Sequence, residues 1–498
     1  MQRSPGGECM KKSAIAKTIP FGLATAAVVL LYVWLSADAG VDFTQRLPGR
    51  DGRPIEIVDA NEPIKITGAL AAFDGVPADL PGAWPRFRGA NFDAISTEDV
   101  PLAKTWPAEG PKVLWSIEVG EGFAGAAIFA GRVYVMDYDR EAQADVVRCL
   151  SLANGRDIWR YSYPVKIKRN HGMSRTVPTV TEKYVVTMGP KGHVTCLDST
   201  TGNFRWMFNL VREFGTKIPM WYTAQCPVIE DDKAIVAPAG NINVADSNEI
   251  TALEGGVLMM AVDCESGEIV WQTPNPDGWL MTHSSIVPME FGGKRFYIYS
   301  GGNNKKGGVV GVSAKDGSVL WKTEEWKVGY SVPMPVVVGR DRIFLTAGYN
   351  EYERGCMMLR LTEVDGRITA EPQFLHPTDV FGSMQQTPIL YEGYIYGVSP
   401  VVRDEQLICL DLEGNVVWTS TSANKFGHGP FTIANGLIYI MNDSGELSLV
   451  KPGGSGYVEL AKAKVMDGHE SWGPLAIASG RLIARDMNQM VCLDISGQ

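Results

Sequence analysis

The chain contains 498 residues, of which 45% are apolar and 20% charged, and its formal net charge is −10. A chain of this length buries a large hydrophobic core when it folds. The acidic balance argues against a nucleic-acid partner, which would favour a basic surface.

The first 40 residues differ from the rest, because four basic residues precede an uncharged run from Thr18 to Ala37. A helix of about 20 residues spans the hydrocarbon core of a bilayer. The pattern predicts an N-terminal signal anchor over 1–40 with one transmembrane helix at about 18–37. The basic flank then stays cytoplasmic and the rest lies on the periplasmic side of the cytoplasmic (inner) membrane.

A second interpretation of this segment is a cleaved signal peptide. Ala37-Asp38-Ala39 has the small-x-small form of a cleavage site, and cleavage there would release a secreted protein. The apolar run is longer than such peptides require, which favours the anchor.

Residues 41–110 are rich in Pro, Gly, Asp and Ala and contain no repeat. We interpret them as a linker and lead-in. Ile55–Val58 and Ile64–Thr67 alternate as a short strand pair would, so part of this segment is a candidate for packing on the following domain. A flexible tether is the simpler alternative.

The remaining residues, 111–498, carry a repeated Gly-x-x-x-Trp element preceded each time by an apolar strand. Consecutive repeat glycines are 41 to 65 residues apart, a range typical of propellers and solenoids. Two looser copies lack the tryptophan, with Ala370 after Gly366 and Leu460 after Gly456, and a truncated copy ends at Gly497. The five full copies are Gly155/Trp159, Gly202/Trp206, Gly267/Trp271, Gly317/Trp321 and Gly414/Trp418.

These eight units predict an all-β, eight-bladed β-propeller. The last unit stops where its tryptophan-bearing strand should follow, and Lys112–Val119 has the character of that missing strand. We therefore expect Trp115 to complete the eighth blade and close the ring, which removes exposed sheet edges.

The repeat has a structural role. Glycine provides a tight turn with a positive φ, and tryptophan offers up to ~250 Å² of surface for packing on the neighbouring blade. The predicted docking residues are Trp115, Trp159, Trp206, Trp271, Trp321 and Trp418.

Cys196–Trp206 and Ala261–Trp271 resemble the tryptophan-docking repeats of the pyrroloquinoline-quinone-like (PQQ-like) β-propeller family. The resemblance covers about residues 84–498. It implies a propeller and two classes of function, since the family contains quinoprotein alcohol dehydrogenases and non-enzymatic propellers of the outer membrane protein assembly factor B type. Trp84–Gly89 also resembles the lead-in of an uncharacterised, membrane-anchored branch.

The enzyme branch implies features that this chain lacks. Quinoprotein alcohol dehydrogenases typically carry a bridge between two adjacent cysteines beneath their quinone, and no two cysteines are adjacent here. Their calcium-binding Glu/Asn set and catalytic aspartate also match no motif. We therefore predict no catalytic residue, no metal and no cofactor; PQQ is possible but unsupported by any motif.

Cys149, Cys196, Cys409 and Cys492 occupy equivalent strand positions in four different units. Such positions should lie too far apart for the short Cα separation of a disulfide. We expect buried free thiols.

The loops before the first strand of each unit converge on one mouth of the central channel. His283 and His469 lie five residues before a proline, as do Tyr222 and Tyr330. Structural plugging of the channel, binding of a partner or ligand, and a metal or redox site are all open. The candidate residues are His171, Arg175, Trp221, Tyr222, His283, Tyr330, Lys425, His428 and His469.

The sequence thus favours a membrane-anchored, extracytoplasmic propeller that serves as a protein- or ligand-binding scaffold for an envelope protein or another extracytoplasmic partner. The alternative is a PQQ-dependent alcohol dehydrogenase-like oxidoreductase. A quinone-dependent assay would separate the two.

Overall fold

The computed structural model describes residues 24–33, 66–241, 256–349, 353–399 and 405–497. The chain divides into two compact units, Met1–Glu62 and Pro63–Gln498.

The first unit contains helix α1, residues 24–33, whose side chains are exposed. Among the described residues, none of the helices has the length and apolar character needed to cross a bilayer. Both ends of the predicted span at 18–37, the cleavage site at 37–39 and the predicted strand at 55–58 lie outside the described residues.

The second unit is a ring of eight antiparallel blades, which confirms the predicted all-β, eight-bladed β-propeller. Successive first strands contact one another, so they line the centre of the ring. Three strands precede the first full blade: β1 (Ala69–Ala72), β2 (Ile95–Ser96) and β3 (Lys112–Glu118).

The strands are given from the inner to the outer strand of each blade. Blade 1 consists of β4 (Ala127–Phe129), β5 (Arg132–Asp139), β6 (Ala144–Ser151) and β7 (Asp157–Pro164), and blade 2 of β8 (Thr179–Val180), β9 (Tyr184–Met188), β10 (His193–Asp198) and β11 (Phe204–Asn209). Blade 3 consists of β12 (Val228–Glu230), β13 (Lys233–Val236), β14 (Val257–Asp263) and β15 (Ile269–Pro274), and blade 4 of β16 (Val287–Phe291), β17 (Lys294–Gly302), β18 (Gly307–Ser313) and β19 (Val319–Thr323). A short helix, α2 (Leu210–Phe214), follows β11.

Blade 5 consists of β20 (Val336–Val338), β21 (Arg342–Thr346), β22 (Cys356–Val364) and β23 (Arg367–His376), and blade 6 of β24 (Ile389–Tyr391), β25 (Tyr394–Ser399), β26 (Gln406–Leu410) and β27 (Val416–Thr419). Blade 7 consists of β28 (Phe431–Ala434), β29 (Leu437–Met441), β30 (Glu446–Lys451) and β31 (Val458–Lys464). Blade 8 consists of β32 (Ala476–Ala478), β33 (Arg481–Arg485) and β34 (Gln489–Asp494), with β3 as its outer strand.

Position in the blade determines the burial pattern. Every residue of β6 is buried, because a middle strand has a neighbouring blade on each face. The outer strand β7 instead alternates between buried and partly exposed residues. Middle strands therefore contain continuous apolar runs, and outer strands show the two-residue period of a half-buried strand.

The ring closes through β3. This strand pairs antiparallel with β34, and Trp115 lies opposite Cys492. The N-terminal strand thus supplies the outer strand of the C-terminal blade, as the truncated last repeat predicted.

Four of the docking tryptophans pack against the glycine turn of the next blade along the chain. The Trp159 indole donates a hydrogen bond to the carbonyl of Thr200 over 3.1 Å. Gly202 has a φ of 74°, and a Cβ there would lie 2.6 Å from the Trp159 ring. The glycine is therefore required both by its backbone conformation and by the close approach of the indole. Trp115, Trp206 and Trp271 make the equivalent hydrogen bond to Leu152, Cys264 and Ala314.

The other two docking tryptophans differ. The Trp418 indole donates to Gly453. The Trp321 indole is buried without a hydrogen-bond partner among the described residues, although Phe296 contacts its ring edge to face.

In the two looser copies, the residue that takes the place of the repeat tryptophan is not the fourth residue after the glycine, as the strand register shows. Phe374 lies opposite Met358 in blade 5, and Ala461 lies opposite Leu449 in blade 7. These residues, rather than Ala370 and Leu460, correspond to the repeat tryptophan. The long β22–β23 hairpin causes the larger displacement in blade 5.

The seven described cysteines are buried free thiols. Cys149, Cys196, Cys409 and Cys492 each lie directly opposite a docking tryptophan in the strand register. Their recurrence reflects a small residue beneath each indole.

From residue 66 onwards, the lead-in packs on the ring. Strand β1 adds a fifth strand to blade 1 by pairing with β7. Strand β2 pairs in parallel with β28, the inner strand of blade 7. Leu102 is buried and bridges to Ser496.

Residues 84–94 of the lead-in, which we name the plug, enter the central channel from the end that carries the turns after the inner strands. Trp84 exchanges backbone hydrogen bonds with Ile128 of blade 1, and Val180 of blade 2 donates to Pro85. Arg88 reaches blade 6 on the other side of the ring, where it donates to the carbonyls of Thr387 and Pro388 at 2.8 Å each. The plug thus crosses the channel from blades 1 and 2 and reaches the start of blade 6.

Candidate binding site at the channel mouth

The loops before each inner strand converge at the exposed mouth and form a connected ring of side chains. All eight of these loops contribute, together with one loop between middle strands. We name the set the mouth ring; its members are Phe123, Arg175, Trp221, His283, Tyr330, Tyr349, Gln385, Gln386, His428 and Trp472.

One half of the mouth ring is an aromatic cluster around Trp221. Its ring centroid lies 5.6 Å from that of His283, 5.3 Å from Tyr330 and 5.2 Å from Tyr349. Trp221, Tyr330 and Tyr349 remain partly exposed. These three rings thus present one aromatic surface to solvent, formed by two inter-blade loops and the middle-strand loop of blade 5.

The other half of the mouth ring centres on Trp472. Its centroid lies 5.0 Å from Phe123 and 5.1 Å from His428. The Trp472 indole donates to Asp443 Oδ1 over 2.8 Å, and the same oxygen accepts the backbone N–H of His428. Asp443 therefore fixes the orientation of both rings.

Arg175 joins the two halves on one side. Its Nε donates to the carbonyl of Trp221, its Nη1 donates to the carbonyl of His171, and the guanidinium lies 5.4 Å from the Phe123 ring centroid. Burial lowers the pKa of Arg175 to about 10, with nearby tyrosines acting in the opposite direction. The group stays positively charged at neutral pH, and backbone carbonyls occupy most of its donors.

Two glutamines close the other side. Gln385 Nε2 donates to the Tyr349 hydroxyl over 3.0 Å. Gln386 Nε2 donates to the carbonyls of His428 and Trp472, 3.1 and 3.2 Å away. Both halves are consequently held in one arrangement by amide groups.

His283 forms the buried floor of the Trp221 half and is 6% exposed. Burial, and secondly the charge of Arg175, lower the pKa of His283 to about 4. Its buried Nε2 has no hydrogen-bond partner among the described residues. The imidazole is therefore neutral at physiological pH and contributes mainly apolar contact.

Of the nine predicted mouth residues, five belong to the mouth ring: Arg175, Trp221, His283, Tyr330 and His428. The other four lie outside it. His171 is exposed and contributes its carbonyl to Arg175, and the Tyr222 hydroxyl donates to the carbonyl of Lys168. Lys425 is exposed and bridges to Gln406 through its backbone. His469 is exposed, and its amide donates to Asp486.

The sequence analysis missed Phe123, Tyr349, Gln385, Gln386 and Trp472. Trp472 lies two residues before Pro474, so the proline pattern that selected His469 contained the signal for it. Tyr349 follows a middle strand, and nothing in its own loop indicates that it reaches Trp221.

Within the described residues, no three His, Cys, Asp or Glu side chains are grouped so that they could hold a metal ion. Aromatic residues and arginine are the types enriched at the centres of protein interfaces. The arrangement therefore suits contact more than proton or electron transfer.

A family model described as outer membrane protein assembly factor BamB matches residues 143–414. The match spans more than half of the chain, which therefore belongs to this family, and the resemblance to PQQ-like propellers is confirmed. No curated protein sequence matches the chain.

Two solved structures show the same fold. BamB from Moraxella catarrhalis has 13% identity and a TM-score of 0.50, covering 77% of this chain and 99% of its own. A europium-containing methanol dehydrogenase has 14% identity and a TM-score of 0.54, covering 83% of this chain and 90% of its own. At this identity the likeness extends to the fold alone.

Proposed function

We propose that this member of the BamB family is an extracytoplasmic binding scaffold that holds a protein partner at the mouth ring. The observation that supports this most is the continuity of the mouth ring. All eight inter-blade loops join into one surface of aromatic and amide groups, and the plug crosses the channel beneath it.

A protein partner fits this surface better than a small molecule. The Trp221, Tyr330 and Tyr349 rings already contact one another, with centroids 5.2 to 6.4 Å apart. Such spacing leaves no gap for a ligand to enter between the rings. Their solvent-facing edges instead form a broad, rigid surface, which loses little side-chain entropy when a partner docks on it.

We propose no cofactor for this function. A quinone with its calcium ion needs a cluster of carboxylate and amide oxygens, and the mouth ring offers aromatic rings, two glutamines and an arginine already bonded to carbonyls. These residues do not fit the group that serves the dehydrogenases of this fold.

We also propose that residues 18–37 anchor the protein in the cytoplasmic membrane, with the propeller on the periplasmic side. Within the described part of this segment, Val28, Leu30 and Tyr32 are at least 65% exposed. A lipid environment would cover these side chains. Retention of the full-length chain in membranes after alkaline carbonate washing supports the anchor, and complete release contradicts it.

The binding proposal is tested first by photocrosslinking. A photoreactive phenylalanine derivative replaces Tyr330 in the full-length chain. A second chain carries it at Val364, an exposed residue at the end of strand β22 and at the opposite end of blade 5. Expected is a discrete crosslinked protein from position 330 only. Equal crosslinking from both positions would contradict a specific surface at the mouth.

The captured protein is then purified for binding measurements. Trp221→Ala should weaken its affinity by about 30-fold, the effect of losing an aromatic hot spot worth about 2 kcal/mol, whereas Val364→Ala should leave it unchanged. Equal affinities for both variants would overturn the proposal. Reduction of a dye by the purified chain with an alcohol, PQQ and calcium would support the alternative, a quinone-dependent dehydrogenase.

A further inference from the structure

Two cysteines from sequential blades meet beneath a docking tryptophan. Cys196 lies on β10 of blade 2, opposite Trp206, and Cys264 lies in the glycine turn of blade 3. The Cys196 Sγ donates to the carbonyl of Cys264 over 3.4 Å, which places the two cysteines in direct contact across the interface.

The surroundings hold the two side chains in place. Both residues are 0% exposed. The Trp206 indole donates to the same Cys264 carbonyl over 3.0 Å, and the Cys264 amide donates to Asp232. These bonds hold the turn of blade 3 against the strand of blade 2, so the Cys196 thiol stays against the backbone of Cys264.

The other blades show that this pairing is particular to one interface. Cys149 and Cys492 occupy the same strand position as Cys196, opposite Trp159 and Trp115. The turn residues that precede the repeat glycine by three places, as Cys264 does, are Leu152, Ser199 and Ala314 in blades 1, 2 and 4. Of the four interfaces leading into blades 1 to 4, only that between blades 2 and 3 has a cysteine at both of these described positions.

From this juxtaposition, we infer that Cys196 and Cys264 form a disulfide that covalently joins blade 2 to blade 3 when the protein folds in an oxidising compartment. The bond closes a loop between residues 68 positions apart. Such a crosslink stabilises a fold chiefly by restricting the unfolded chain.

The chemistry is thiol–disulfide exchange with a small disulfide or a dithiol oxidase as the oxidant. One cysteine, as thiolate, attacks the oxidant and forms a mixed disulfide, which releases one thiol. The second cysteine then attacks the mixed disulfide and releases the other. The two cysteines lose two protons and two electrons, and the oxidant is reduced to two thiols.

The thiol–disulfide exchange should take place before blades 2 and 3 pack against each other during folding. The hydrogen bond to Cys264, together with burial, raises the pKa of Cys196 in the folded protein. The attacking thiolate is then scarce, and the full burial of both residues excludes an external disulfide.

The inference is tested on the purified full-length chain and does not depend on the proposed binding function. The reduced, unfolded chain is refolded with a mixture of reduced and oxidised glutathione, blocked with an alkylating reagent in denaturant so that buried thiols also react, and digested without reduction. Expected is one crosslinked peptide pair containing Cys196 and Cys264, lighter by two hydrogen atoms than the free peptides. The melting temperature should exceed that of chain refolded in reductant by about 2 to 4 °C.

Cys149→Ser is the matched control, because it alters the equivalent strand position where the facing turn carries no cysteine. It should keep the crosslinked pair and the response to reductant, while Cys264→Ser should lose both. Folded wild-type protein in which Cys196 and Cys264 are alkylated would overturn the inference. Bridges scattered over other cysteine pairs would overturn it as well.

Discussion

Arg88 donates through Nη1 to the main-chain carbonyl of Thr387 over 2.8 Å, although the two residues are 299 positions apart. The same guanidinium donates to the carbonyls of Pro388, Phe92 and Asp93. A side chain from the lead-in thereby satisfies buried carbonyls at the start of blade 6. The lead-in is part of the propeller core and connects blades that are not neighbours in the ring.

The first prediction concerns this contact. Arg88→Ala should lower the free energy of unfolding by about 2 to 4 kcal/mol, because it leaves several buried carbonyls without a donor. Arg156→Ala is the matched control, since Arg156 pairs with Asp74 in an exposed ion pair, and such pairs contribute less than about 1 kcal/mol. Chemical denaturation of both variants measures the difference. Equal stabilities would mean that the plug does not support the ring.

The second prediction concerns where the folded domain begins. Deletion of residues 1–62, the first compact unit, should leave the melting temperature of the propeller unchanged. Deletion of residues 1–110 should lower it and promote aggregation, because it removes the buried side chains of Trp84, Arg88 and Leu102. Thermal unfolding and light scattering test both chains. A stable, monomeric chain starting at residue 111 would contradict the structural role of the plug.

The repeats were predictable because their signal is local. Gly-x-x-x-Trp encodes a turn and the residue that docks on the next turn, and the truncated last copy indicated that Trp115 closes the ring. The plug and the mouth ring depend on contacts between distant residues, such as Arg88 with Thr387 and Gln386 with Trp472. No local pattern encodes these contacts. The predicted tryptophan position in blade 5 was wrong for a related reason. A four-residue offset from Gly366 selects Ala370, whereas the longer hairpin places Phe374 at that position.

The third prediction separates the two requirements for glycine in the repeat. Gly267 has a φ of 76°, and a Cβ there would lie 2.7 Å from the Trp206 ring. Gly366 has the same φ, but none of the described heavy atoms lies within 4 Å of its Cβ position. Gly366→Ala should therefore cost about 1 kcal/mol of strain, and Gly267→Ala should cost more because the indole must also move.

Trp206→Ala provides the corresponding measurement on the other side of that interface. Truncation of this buried indole should destabilise the ring by about 3 to 5 kcal/mol, and it also removes the hydrogen bond to Cys264. If Gly267→Ala is then introduced into Trp206→Ala, its cost should fall towards that of Gly366→Ala, because the clash is gone. Full additivity of the two changes would contradict the docking contact.

The last prediction concerns the dependence of stability on pH. Asp145 is fully buried between blades 1 and 2, and burial raises its pKa to about 8, while the nearby Tyr163 side chain and the charge of Lys191 act in the opposite direction. In the unfolded chain the carboxyl ionises at its ordinary pKa near 4. The folded state therefore binds a proton that the unfolded state has lost, and stability falls as pH rises from about 4 to about 8.

Two buried histidines have the opposite effect on the pH dependence of stability over part of this pH range. Burial lowers the pKa of His193 and of His283 to about 4, so each favours unfolding as pH falls from about 6.5 to 4. Between pH 6.5 and 8 the two histidines no longer titrate, so the change in stability reports on Asp145. Across this range, the wild-type chain should lose about 1 to 2 kcal/mol of stability, and Asp145→Asn, which cannot ionise, should remove that loss. His193→Gln should retain it. Unfolding curves at pH 6.5, 7.2 and 8.0 measure the slope, and the same loss in Asp145→Asn would show that another group titrates there.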